Sequence, residues 1–216
     1  MTHPRHRPTI AATLIAAALL TGCQSGSDTE PLSLSGLTET ADGMPDDGAS
    51  TCPLPYDLAK AAKSVGLDGK TGPGPVREDG DTPVATAEGG KRAKSGEPLA
   101  EHPGVLVSCT FHIGRDDVRV HTVATREPNA VTVLAPVVAS LTNSSAADTV
   151  GYVNKAAEAK TGETMVADSG NVAAVRLELD GDGDAVLLVG VGEAGTASLS
   201  RKQVGDLTEA LADQVQ

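Results

Sequence analysis

Apolar positions along the chain switch between strict alternation and helical spacing, and the switches mark its elements. Val105, Val107, Cys109, Phe111 and Ile113 alternate with Leu106, Ser108, Thr110 and His112, the period of a half-buried strand. Val118 to Thr125 forms a second strand after Gly114-Arg115-Asp116-Asp117. Pairing Ile113 with Val118 sets Phe111 against Val120, Cys109 against Thr122 and Val107 against Ala124, so the apolar faces agree. Ala173, Val175, Leu177 and Leu179 alternate again, and Asp180 to Asp184 makes a turn into the continuously apolar run Ala185 to Val189. Such a run fits a central strand covered on both faces. Met165 and Val166 suit a short strand.

Helical spacing is equally local. A helix near Pro55 to Gly66 buries Leu58, Ala61, Ala62 and Val65, with proline at its start and glycine at its end. Ser145 with Asp148 makes a capping-box-like start for a helix through Lys160 that ends at Gly162. Ser200 as N-cap with Gln203 at N3 opens a C-terminal helix that buries Val204, Leu207, Leu211 and Val215. Asn129 to Leu141 fits two readings: Val131, Val133 and Leu134 suit a strand, while Pro136 could open a short helix. The whole predicts an α+β domain over 51–216, with a mainly antiparallel sheet packed with an N-terminal and a C-terminal helix.

Two stretches lack such periods. Residues 24–50 hold six acids and no base among Ser, Thr, Gly and Pro, and read as a disordered acidic tether with an end-to-end distance of roughly 30 Å. Residues 70–101 contain Gly72-Pro73-Gly74-Pro75, Gly89-Gly90 and a basic cluster of Lys91, Arg92 and Lys94, and read as a long irregular loop.

Ahead of these, residues 1–22 carry Arg5 and Arg7 without an acid, then an apolar run from Ile10 to Leu20 too short to span a bilayer, the layout of a secretory signal. Leu20-Thr21-Gly22-Cys23 resembles a bacterial lipobox. The resemblance implies cleavage before Cys23 and diacylglycerol on its sulfur, hence an anchor in the cell membrane on its extracytoplasmic face. The Ala, Gly, Val, Asp and Thr richness resembles a high-GC actinobacterial composition, and the overall layout resembles the small secreted lipoproteins of actinobacteria. That resemblance implies a non-catalytic extracellular domain and names no ligand. With Cys23 committed to lipid, Cys52 and Cys109 remain as an even pair in an exported chain, and a disulfide between them is expected, contributing roughly 4 kcal/mol in the chain-entropy model. The alternative, two free thiols, lacks a Cys-x-x-Cys spacing.

Composition narrows the partners. The chain has 17 basic and 29 acidic residues, a net charge of −12, and only one Phe, two Tyr and no Trp. An acidic chain without stacking platforms is unsuited to nucleic acid, and equally to sugars held by ring stacking. Loss of Arg5 and Arg7 leaves 15 basic residues, so attachment to an anionic membrane would depend on lipid rather than on charge.

No motif singles out a catalytic residue, a metal site or a cofactor. His112 and His121 fall on one side of the hairpin, diagonal to each other in the register above, with His112 facing Arg119; a cation there is electrostatically poor, and solvent-facing histidines are expected. His102 has no defined partner. Asp180, Asp182 and Asp184 match the first three ligands of a calcium loop, but Ala185 stands where its glycine belongs and Val191 where its glutamate does. Gly190-Val191-Gly192-Glu193-Ala194-Gly195 spells G-x-G-x-x-G, yet the following helix starts too late to hold a pyrophosphate. The reading is therefore a binding or sensing module of the cell envelope, engaging an envelope protein or a small ligand, with an envelope enzyme using a carboxylate or histidine site as the alternative.

Overall fold

Alternation along residues 104–125 produces a sheet with two buried faces, because the strands of this hairpin carry apolar side chains on one side and, toward one end, on the other. The computed structural model describes residues 31–76, 82–96 and 98–216. Along them run α1 (Leu34–Asp42), α2 (Leu58–Ser64), β1 (Thr71–Pro73), β2 (Ala85–Gly89), a 3-10 turn (Gly90–Arg92), α3 (Pro98–Glu101), β3 (Gly104–Ile113), β4 (Asp116–Thr125), α4 (Ala130–Val133), α5 (Ala135–Thr142), α6 (Ala146–Glu158), β5 (Thr164–Val166), β6 (Val172–Leu177), β7 (Asp184–Val191) and α7 (Arg201–Ala212). The strands form one antiparallel sheet in the order β1-β3-β4-β7-β6-β5, with β2 also on β3. The α+β class, the antiparallel sheet and helices at both ends of the domain are as the sequence predicts.

The continuous apolar run lies where expected. β7 sits between β4 and β6, and all eight of its residues are buried. One face of the sheet, with Val107, Val120, Leu187 and Val175, packs on Leu37 of α1, Leu58 of α2 and Leu207 and Leu211 of α7. The opposite face, with Leu106, Val123, Leu188 and Ala174, packs on Val131, Val138 and Leu141 of α4 and α5 and on Val153 and Ala156 of α6. The ambiguous segment 129–141 is thus helical and forms half of a second helical layer. Its branched apolar residues suit either state, and burial against the sheet selects the helix.

Three expectations require correction. The hairpin register is Ile113 with Asp116 and Phe111 with Val118, two residues from the expected pairing. A slip of two leaves every side chain on its original face, so periodicity cannot detect it; the turn decides, and Gly114 at φ 61° closes it in two residues.

Within the supposed tether, residues 34–42 form α1 instead. Ser33 caps it, Leu37 and Ala41 are buried, and Met44 follows them into the core. Arg92, from the basic cluster, locks the end of this helix by donating from Nε to the Ala41 carbonyl at 2.8 Å and pairing with Asp46 at 2.8 Å. The supposed irregular loop 70–101 supplies β1 and β2, which pair with the outer edge of β3, an edge position where Pro73 is tolerated.

Candidate functional site

Cys52 precedes α2, and Cys109 lies on the core face of β3. The two form a disulfide with Cα atoms 5.5 Å apart, pinning the segment before α2 to the sheet. Cys23, the signal segment and residues 24–30 of the tether lie outside the described residues.

The register brings His121 opposite Ser108 and His112 opposite Asp117, whereas Arg119 faces Thr110. The two histidines stand four residues apart along the ladder, roughly 13 Å at a strand's rise, beyond the span of one metal ion. Neither is a free solvent-facing side chain. His112 Nδ1 is 3.1 Å from the Gly74 carbonyl, and His121 Nδ1 is 2.8 Å from Ser108 Oγ while its Nε2 is buried without a partner. Burial, helped by the Arg119 charge, pushes the His121 imidazole down to about 4. A base so weak is neutral at pH 7 and poorly suited to activating the Ser108 hydroxyl. His102 has a partner after all: its Nδ1 is 3.0 Å from Asn129 Nδ2.

The acidic turn is not uniformly solvated. Asp184 is buried, paired with Arg176 at 2.9 Å and accepting from the Ala130 amide at 3.1 Å, so it joins β6, β7 and the start of α4. Arg176 in turn donates to the Ala159 carbonyl behind α6 at 3.1 Å. The glycines of the G-x-G-x-x-G run have separate local reasons. A Cβ on Gly190 would meet Leu141 at 2.7 Å, and Gly192 and Gly195 adopt φ of 54° and 79°. α7 begins only at Arg201, with Ser200 and Gln203 in a capping box. Among the described residues no group of three or more His, Cys, Asp and Glu is placed to hold a metal, and no helix is long and apolar enough to cross a membrane.

The described residues form several surface depressions. A shallow groove of about 700 Å³ separates α1 from α3 and Arg126. A second, of about 430 Å³, lies at the hairpin tip between Arg115 and Arg119. Two of its three acids are already engaged: Asp116 accepts from the amide and hydroxyl of Ser198, and Asp117 accepts from the Val76 amide at 2.7 Å.

A third is a smaller cleft of about 260 Å³ where α5 and α6 meet β5. Val138, Gly151, Tyr152, Met165 and Val166 line it, with Asp148, Lys155 and Arg201 at its rim. Two side chains reach the carbonyls of the edge strand: Tyr152 donates to Met165 at 2.9 Å, and Arg201, from the first turn of α7, donates to Val166 at 2.8 Å. Burial raises the Tyr152 phenol well above its ordinary value, against the opposing charge of Arg201, so the ring is a neutral wall at pH 7.

None of these rim residues stands out in the sequence, because α6, β5 and α7 are brought together only by the fold. The one local signal is Gly151, a glycine inside an otherwise well-capped helix. No protein-family model, no curated protein and no solved structure matches this chain.

Proposed function

We propose that this protein is a lipoprotein held at the extracytoplasmic face of the cell membrane by lipid on Cys23, and that its α+β domain is a non-catalytic binding module of the envelope. The observation that carries the reading is the use of its three cysteines. Cys52 and Cys109 are joined, as suits an oxidising compartment, and Cys23 follows Leu20-Thr21-Gly22 behind a basic and then apolar leader. The state of the polar side chains supports binding rather than catalysis. Asp116, Asp117 and Asp184 are tied to backbone or to arginine, Tyr152 is a neutral donor to a carbonyl, and His121 is a neutral buried imidazole. Each of these groups holds the fold in place of a reacting atom.

Changing Cys23 to Ser and fractionating a native host tests the anchor. The variant is expected in the medium, because the acidic body has no electrostatic hold on an anionic membrane. Retention of Cys23→Ser in the membrane fraction would refute the lipid anchor.

A further inference from the structure

We propose that the cleft between α6 and β5 receives the carboxyl end of a peptide, with its apolar terminal side chain in the cavity and its carboxylate on Lys155; this rests on the reading of the domain as a binding module. Gly151 is the first reason. It lies in the interior of α6, where glycine weakens a helix relative to alanine. A Cβ built on it meets nothing within 4 Å, and it is not among the glycines of positive φ. Neither packing nor backbone conformation asks for glycine here. Its bareness instead keeps the wall of the cleft low between Tyr152 and Met165.

Size and charge narrow the occupant. About 260 Å³ falls short of the roughly 300–1,000 Å³ of small-molecule sites, yet it admits one aliphatic side chain, and Val138, Met165 and Val166 give that side chain apolar walls. Lys155 stands one turn beyond Gly151 on the same face of α6, exposed and without an ion-pair or hydrogen-bond partner among the described residues. Arg201 adds a second cation; it already holds the Val166 carbonyl, and its Nη1 lies 3.7 Å from the exposed Asp168. Asp148 also lines this mixed polar and apolar cleft but is engaged by the Ser145 hydroxyl at 2.7 Å, so the uncommitted ammonium of Lys155 beside the apolar walls asks for a carboxylate within one residue of an apolar side chain. The C-terminal residue of a peptide carries both groups.

The test uses the purified, isotope-labelled full chain, with binding followed through its backbone amide resonances. The probes are N-acetyl-Ala-Ala-Leu as free acid, its C-terminal amide, and octanoate. The free acid is expected to shift the amides of Gly151, Lys155 and Met165 and to bind at least tenfold more tightly than the other two. Lys155→Glu should weaken it at least tenfold, and Gly151→Val should block it. Gly151→Val should still unfold cooperatively at or above the wild-type temperature, which separates a filled cleft from a failed fold.

Equal binding of acid and amide, equal binding of octanoate, or shifts confined to another face would each overturn the proposal. Photo-crosslinking in intact cells separates its failure from that of the underlying reading. A silent cleft with an envelope protein captured through Thr86, an exposed residue of β2, overturns this site and keeps the binding module; no capture from any face overturns both.

Discussion

Replacing His121 by Gln should flatten the acid side of this protein's stability curve. His121 Nδ1 is 2.8 Å from Ser108 Oγ, and its Nε2 is buried without a partner. The neutral ring therefore carries its proton on Nδ1 and donates to Ser108, since the other tautomer would bury an orphan N–H. Acid adds that second N–H in a dry position near Arg119, which is why the folded value falls to about 4 from an ordinary 6.5. Between these two values the unfolded chain binds more protons than the native one, so stability rises with pH across that window. The contribution is complete above pH 6.5 and is lost as pH falls toward 4.

At about 1.4 kcal/mol per pH unit, the loss reaches roughly 3 kcal/mol at pH 4. Urea unfolding of the wild type and of His121→Gln, from pH 7 to pH 4, measures it. In the difference between the two curves the carboxylates and the other four histidines cancel. At pH 7 the variant should be weaker by about 1 kcal/mol, the typical worth of the lost hydrogen bond. That deficit should shrink and then reverse as the pH falls. A difference that stays constant across the range would refute the buried neutral imidazole.

Two further substitutions probe the fold. Leu37→Ala should destabilise the domain by about 2–5 kcal/mol, as for other fully buried leucines, whereas a true tether would give no change in the urea midpoint. Arg176→Met should cost about 3–5 kcal/mol by stranding the buried Asp184 carboxylate; thermal unfolding equal to wild type would show that Asp184 needs no cation.

The elements that were legible in advance are those whose stabilisation is written locally. β3 and β4 alternate with period two, β7 is continuously apolar, and α2 and α7 combine an apolar stripe with caps. What escaped is stabilised by distant partners. α1 has too few apolar residues to show against an acidic background, and it exists because Leu37 and Ala41 meet the sheet and Arg92 reaches its last turn. β1 and β2 are edge strands whose glycines and prolines hide them, and they are ordered by the outer side of β3. The slip in the hairpin register had a direct cost for the site: it moved His112 away from His121 and set Ser108 beside the buried imidazole.

Sequence alone therefore determined the periodic and capped elements and the faces they turn inward, because periodicity and capping act over short range; the Cys52–Cys109 pair followed from it only once Cys23 was set aside. Tertiary structure decided the second helical layer, the inclusion of residues 34–42 in the core, and the cleft. The cleft joins Gly151 and Lys155 to Met165 and to Arg201 fifty residues further along the chain. No local pattern encodes that meeting, since it arises only when α6 and α7 close over opposite faces of one sheet and reach the same edge strand.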